Sequence, residues 1–181
     1  MKLNSSLYAL LNNLLNVLPG FGSANTLRGW LARTALMRCG TKVKISSHVF
    51  IFNPRNLTLG NNVYVGPGCY FGGGEIELED EVNIGPFAVV AAGRHTMRDG
   101  SYRFGTYEYG RIHIGRGTWV CANTVIASGV TIGKGCLIAA GSLVMNDVPD
   151  YGVVCGVPAK LLRTFPPEDA ETVRAQEKCS T

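Results

Sequence analysis

IGRGTWVCANTVIASGVTIGKGCLIAAGSLV, residues 114–144, keeps a six-residue rhythm. An aliphatic residue returns at every sixth position, from Ile114 through Val120, Ile126, Ile132 and Ile138 to Val144. Two residues before each return sits something small: Thr118, Thr124, Val130, Cys136 and Ser142. Residues i and i+2 of an extended chain share a face, so Thr124 and Ile126 point inward together. The residues between are too few for a hairpin but enough to turn a corner, and Gly85, Gly115 and Gly133 are expected to give the backbone freedom such corners need. Three short strands then close one coil in about eighteen residues. That predicts Ile114 stacked on Ile132, Val120 on Ile138 and Ile126 on Val144, with coils roughly 4.8 Å apart satisfying one another's backbone groups. A sandwich of ordinary strands would not hold one strict phase over so many returns, so the reading is a parallel β-helix solenoid.

Working outward, the same phase appears at Leu78, Ile84 and Val90, with Val82 and Ala88 as the small partners. Leu59, Val65 and Phe71 run one residue out of step. After Val90 the rhythm stops, and it resumes at Ile112 and Ile114 in the same phase. Residues 93–111 are therefore expected to be an excursion from an intact solenoid. It carries Arg94, His95, Arg98, Asp99, Tyr102, Arg103, Tyr107, Glu108 and Tyr109, and long loops in compact repeats are functional or mobile.

The first forty residues differ in kind. Leu3, Leu7, Leu10, Leu11, Leu14 and Leu18 fall on one helical face with Asn12, Asn13 and Asn16 mostly off it. Pro19-Gly20 stops that helix. A second helix is expected, capped by Ser23 or Asn25 and facing inward through Leu27, Trp30, Leu31, Thr34 and Ala35. Neither a signal peptide nor a spanning helix is expected. The helices are read as covering the open first coil or meeting a neighbouring subunit, in preference to lying on a membrane, since the polar face of the first lacks basic residues. The expected organisation is a helical segment over residues 1–40, a β-helix over 41–163 and a tail over 164–181.

Composition sets limits. A chain of 181 residues with 23 glycines, 46% hydrophobic and 17% charged, reads as one globular domain with frequent turns. Its formal charge of +4 is mild, and no Lys/Arg run with interleaved aromatics points to nucleic acid. Cys69 and Cys136 take the small inward position of the repeat. Cys39, Cys121, Cys155 and Cys179 are scattered, with no C-x-x-C. Reduced thiols in a cytoplasmic protein are the expectation.

Four runs carry a resemblance: VNIGPFAVVAAGRH at 82–95, IGRGTWVCAN at 114–123, GVTIGKGCLIAAGS at 129–142 and DVPDYGVVCGVPAKLLR at 147–163. The chain from about Leu59 to Arg163 resembles the hexapeptide-repeat acyltransferases, which form left-handed β-helices, and in particular the maltose/galactoside and bacterial polysaccharide O-acetyltransferases. The handedness comes from the resemblance alone, being an exception to the usual crossover rule. The resemblance implies that His95 is the general base on an acceptor hydroxyl, with direct transfer from acetyl-CoA and no acyl-enzyme. It implies that Trp119 lines a cleft between subunits. It implies too that Ala122 and Ala140 let pantetheine run along the coil, and that Lys160 and Arg163 meet the nucleotide phosphates.

No metal is expected. His48 reads as a surface or packing residue. His113 lies eighteen residues from His95, about one coil, but the hexapeptide carbonic anhydrases need three histidines around zinc with two only a few residues apart, and nothing here supplies that third ligand. Two departures concern the acceptor: Val65-Gly66-Pro67-Gly68 stands where the sugar-directed enzymes carry an asparagine, and Met145-Asn146 where they carry a threonine/lysine pair. The expectation is a cytoplasmic homotrimer, with peripheral contact at the inner membrane left open, acetylating a sugar hydroxyl of a bacterial surface-glycan precursor. A drug-modifying acetyltransferase of the same fold and a non-catalytic scaffold remain the alternatives.

Overall fold

A computed structural model of the protein describes residues 3–165; the expected tail beyond Phe165, with Cys179, lies outside the described residues. Short parallel strands stack into three sheets. The first is built from Arg38–Cys39, Leu57–Leu59, Glu75–Leu78, Arg111–Ile114 and Thr131–Ile132. The second runs through Lys44–Ile45, Tyr64–Val65, Asn83–Ile84, Trp119–Val120 and Leu137–Ile138 to Gly152–Gly156 and an antiparallel final strand, Ala159–Thr164. Phe50–Ile51, Tyr70–Phe71, Val89–Val90, Val125–Ile126 and Leu143–Val144 form the third.

The stacking follows the rhythm. Ile114 pairs with Ile132, Val120 with Ile138 and Ile126 with Val144, each partner one coil on. All six aliphatics are buried, as are the small residues Thr118, Thr124, Val130, Cys136 and Ser142. The early slip in phase also has a cause. Leu59 stacks on Leu78 and Val65 on Ile84, nineteen residues on, while Ile45 stacks on Val65 across twenty, so the first coils are one or two residues longer. Leu78 then stacks directly on Ile114 and Val90 on Ile126, thirty-six residues on. That is one coil plus an excursion of equal length, which leaves the solenoid unbroken.

The glycines play a different part from the one expected. Gly85, Gly115 and Gly133 do not adopt positive φ; the left-handed corners fall instead at Gly117, Gly135 and Gly141 and at Asn62, Glu81, Phe87 and Asn123. What Gly115 supplies is closeness: a Cβ there would lie 2.6 Å from the Gly133 carbonyl carbon and the Lys134 nitrogen of the next coil. Backbones stacked coil on coil leave no room for a side chain at that corner.

Helix α1 (Ser5–Leu15) is capped by Asn4, whose Oδ1 accepts the Leu7 N–H at 2.8 Å. Helix α2 (Ser23–Arg33) follows Gly22 at φ 64° with no side-chain cap; Asn25 sits buried inside its first turn. Both inward faces correct the reading from periodicity. On α1 the buried residues are Tyr8 and Asn12, with Leu3, Leu11 and Leu15 packed partly against the core, whereas Leu7, Leu10, Leu14 and Leu18 are exposed. On α2, Leu31 and Ala32 are buried, followed by Ala35 and Leu36, while Leu27 and Trp30 face out. The reason is the surface that the helices meet, since the open end of a parallel sheet presents backbone edges. The Asn12 amide donates to the Val49 carbonyl at 3.1 Å, and Asn16 Oδ1 accepts the His48 N–H at 2.8 Å. Asparagine serves that edge where leucine could not.

Arg28 clips the two helices together. It is fully buried; its guanidinium donates to the carbonyls of Pro19 (3.1 Å), Leu15 (2.8 Å) and Leu18 (2.7 Å) and to Asn25 Oδ1 (3.1 Å).

The outer surface of the first sheet is laced with charge. Arg111 donates to Glu77 at 2.7 Å, and His113 stands 3.4 Å from both Glu77 and Glu79. The Arg111 hydrogen bond, helped by His113, holds the Glu77 carboxyl below its ordinary value; hydrogen bonds from the Asn61 backbone and amide do the same for Asp80. A depressed carboxylate contributes stability that is present above its unfolded pKa and lost as pH falls through the lower folded value. The thermal midpoint is therefore expected to drop on acidification below about pH 4, the ordinary carboxylate range. It should drop less in Glu77→Gln with Asp80→Asn, and calorimetry at pH 6 and pH 3 checks this.

Candidate active site

The excursion leaves the third sheet after Val90 and folds on itself as a hairpin. Gly93–His95 pairs antiparallel with Tyr107–Tyr109, setting Gly93 opposite Tyr109, Arg94 opposite Glu108 and His95 opposite Tyr107. Its base is closed by the Gly110 N–H donating to the Ala92 carbonyl at 2.8 Å, and its neck by the Thr96 N–H donating to the Thr106 carbonyl at 2.8 Å. Arg94 Nε meets Glu108 Oε2 at 2.8 Å, but both side chains are largely exposed, so this pair adds little. The His95 ring packs edge-on against Tyr107 with centroids 4.9 Å apart, and Tyr107 packs likewise on Tyr109 at 4.9 Å. Gly93 leaves room for that ring: a Cβ there would meet the Tyr107 phenol, which would have to shift. His95 itself is exposed. A row of two tyrosine rings thus backs an accessible imidazole at the edge where the third sheet gives way to the first.

The residues expected to meet the donor lie elsewhere on the chain. Trp119 stands on the second sheet, between Asn83 and Leu137 in register, and is 48% exposed on the outside of its coil. Ala122 and Ala140 occupy the corner that follows the second sheet, one coil apart and joined by the Gly141 N–H donating to the Ala122 carbonyl at 2.9 Å. Lys160 and Arg163 belong to the final strand, Ala159–Thr164.

Three residues of separation would send Lys160 and Arg163 to opposite faces of a regular strand. The register slips between Val153 and Val154, however, so that Lys160 pairs with Cys155 and Arg163 with Val153. Val153 and Cys155 share a face, and the extra residue, Leu162, brings both cations onto it. Lys160 also lines a cleft of about 300 Å³ with Asn146, Asp147 and Pro149 among others. The Arg163 guanidinium lies over the Phe165 ring at 4.5 Å.

One chain therefore gathers the residues expected to meet the donor on the second sheet and its following corner, and holds His95 on the opposite edge of the three-sided solenoid. What the spacing could not reveal is the hairpin register that sets Tyr107 beside His95 and the bulge at Leu162. Among the described residues no group of three or more His, Cys, Asp or Glu is arranged to hold a metal ion. Cys69 and Cys136 are buried, and burial pushes the Cys69 thiol up to about 11.

Residues 111–146 match the family described as Bacterial transferase hexapeptide (six repeats). A Staphylococcus aureus (strain COL) protein named as an acetyltransferase is 40% identical over 109 residues, covering 60% of this chain and 55% of its own length. The galactoside O-acetyltransferase of Escherichia coli (strain K12) is 26% identical over 132 residues, covering 69% and 65%. The chain thus spans little more than half the length of the first of these relatives. Among solved structures, a hexapeptide-repeat acetyltransferase of Vibrio cholerae complexed with acetyl-coenzyme A superposes with a TM-score of 0.76 at 24% identity, covering 89% of this chain and 88% of that one. A maltose O-acetyltransferase from Clostridium difficile 630 gives 0.79 at 22% identity, covering 89% and 86%. These two likenesses concern the fold. The chain is a left-handed parallel β-helix of hexapeptide repeats that resembles, in sequence and in fold, the hexapeptide-repeat acyltransferases, the galactoside and maltose O-acetyltransferases among them.

Proposed function

We propose that the protein is an acetyl-CoA-dependent O-acetyltransferase acting on a sugar hydroxyl of a bacterial surface-glycan precursor, with His95 as general base. The observation that carries this reading is the hairpin: an intact solenoid of this resemblance spends a whole coil's length of chain to hold one exposed histidine against Tyr107. Imidazole is the side chain suited to take a proton near neutral pH. In the proposed step the acceptor oxygen attacks the thioester carbonyl while its proton passes to His95. The new C–O bond forms, the C–S bond breaks, and the departing sulfur of coenzyme A takes the proton back. No enzyme nucleophile is needed.

Because one chain splits His95 from Trp119, Ala122, Ala140, Lys160 and Arg163, each site is read as lying between neighbouring subunits of a homotrimer, with three sites per assembly. Trp119 would line the cleft, the two small alanines would admit the pantetheine arm along the coil, and the paired cations would meet the nucleotide phosphates. A galactoside acetyltransferase structure contains coenzyme A, and its fold matches this one with a TM-score of 0.77 at 24% identity, which supports acetyl-CoA as the donor. No described helix is long and apolar enough to cross a membrane, and the reading places the reaction in the cytoplasm.

Calorimetric titration with acetyl-CoA, alongside thiol release with sugar, chloramphenicol-like and streptogramin-like acceptors, tests the reading. Binding with sugar-dependent release supports it; release only with the drug-like acceptors moves it to a drug-modifying enzyme; no binding at millimolar acetyl-CoA leaves a scaffold. For Lys160→Ala with Arg163→Ala, coenzyme A affinity is expected to fall by about tenfold, since two solvent-facing charge-assisted contacts are worth only a kcal/mol or so together. The loss should be larger at low salt. An unchanged Kd at both salt concentrations would remove the phosphate role.

A further inference from the structure

The capping helices turn one side to the solenoid and leave the other bare. On α1, Leu10 and Leu14 are 57% and 59% exposed, with Leu7 one turn earlier, and Val17 and Phe21 continue the apolar surface beyond the helix. On α2, Leu27 is exposed and Trp30 is 64% exposed. These are large side chains gathered at one end of the molecule, the pattern of a surface that meets something apolar.

The helices and the first two coils carry charge of one sign. The nearest acids are Glu77, Glu79 and Asp80 of the next coil, which line a pocket with Arg38 and Gly40. The first seventy-four residues contain seven Lys or Arg and no Asp or Glu; all 13 acidic residues fall from Glu75 onward. Arg33 and Lys42 line one shallow pocket of about 110 Å³ together with Trp30. Lys44 is exposed on the strand against which α2 packs. The cations absent from the polar face of α1 are thus supplied by the end of α2 and by the first coil.

We propose that this end of the protein docks on an anionic lipid surface, with the outer faces of α1 and α2 lying among the headgroups. Leucine, phenylalanine and tryptophan side chains enter the headgroup–acyl boundary, and the flanking Arg33, Lys42 and Lys44 meet lipid phosphates. A second copy fits the surface less well. A two-fold contact through these helices would bring like-charged faces together, since α1, α2 and the first coil carry cations and no acidic residue. Capping and docking do not compete, because the first uses the Tyr8/Asn12 and Leu31/Ala32 faces and the second uses the opposite ones. The proposal is independent of the acetyl-transfer reading.

Cosedimentation of the full chain with vesicles tests it, using phosphatidylcholine alone and phosphatidylcholine with about one-third phosphatidylglycerol, a charge density sufficient to attract a polybasic surface. Binding is expected to the anionic vesicles only and should be lost as salt is raised. Leu10→Gln with Leu14→Gln, and separately Lys42→Glu with Lys44→Glu, should each cut the bound fraction by about tenfold. All four positions are exposed, and glutamine keeps the helix propensity of α1, so circular dichroism should be unaltered. Failure to sediment, or equal binding to neutral vesicles, would overturn the proposal. So would a larger oligomer, seen by analytical ultracentrifugation without vesicle binding, that the leucine substitutions disperse; that outcome would assign the surface to a second copy.

Discussion

His95→Ala is expected to lower kcat by about two to four orders of magnitude, the span over which a positioned general base contributes. Affinity for coenzyme A should stay close to that of the unaltered protein. The separation follows from placement: His95 stands on the hairpin, while Trp119, Ala122, Ala140, Lys160 and Arg163 stand on the second sheet and the corner that follows it. Removing an imidazole from the hairpin leaves every donor-side residue where it was. Stability should also be conserved, because His95 is exposed and its one aromatic contact, with Tyr107, is a fraction of the hairpin's support. Steady-state kinetics, calorimetry with coenzyme A and a thermal melt on the same preparation give the three readouts. A variant that turns over at the full rate would end the case for His95 as base. One that loses donor affinity as steeply as kcat would show that the histidine acts in binding instead.

Much of the solenoid was legible before any coordinates because its physics is local and repeated. Each coil reuses the same inward pair, so Ile114, Ile126 and Val144 announce one another along the chain, and the stacking predicted for them is the stacking found. The excursion was legible for the same reason, since only an insertion that returns to its starting point can preserve the phase from Val90 to Ile126. The glycines were read for the wrong property: a Gly at a corner suggests left-handed backbone, whereas Gly115 is fixed by its distance from the coil above. The helices misled through their leucines. Periodicity reports that a face is apolar and says nothing of what lies opposite, and at a backbone edge Asn12 outcompetes Leu10 for the inside. In the candidate site, residue types were readable and relations were not. The contact of His95 with Tyr107 depends on a hairpin register set across eleven intervening residues, and the shared face of Lys160 and Arg163 depends on a bulge at Leu162.

Arg28→Met is expected to destabilise the N-terminal cap by about 1–3 kcal/mol, the usual cost of taking a charged donor away from neutral acceptors that stay behind. Two opposing effects decide this. Methionine has no charge to desolvate, and replacing a buried ionic group by an apolar one of similar length can be neutral or better when its partners leave with it. Here they cannot leave: three of the four acceptors are the backbone carbonyls of Leu15, Leu18 and Pro19, which no side-chain substitution removes. The Leu15 carbonyl keeps the Leu18 N–H at 3.0 Å, while those of Leu18 and Pro19 lose a charged donor at partly buried sites, and together this costs about 1–3 kcal/mol. The loss is compounded because Leu15 closes α1 and Leu18 follows it, where the negative end of the helix dipole favours a cation. Arg28→Lys should recover only part of the stability, since one compact ammonium cannot span sites that two guanidinium nitrogens reach at 2.7–3.1 Å. The damage should also stay local, as the stacked coils hold one another through their own backbone bonds. Hydrogen exchange should therefore show the amides of α1 opening far more readily while those of Ile114–Val144 keep their protection. If α1 in Arg28→Met exchanged as slowly as in the unaltered protein, the clip would be dispensable, and the helix would be held by its other contacts, those of Tyr8, Leu11, Asn12 and Leu15 among them.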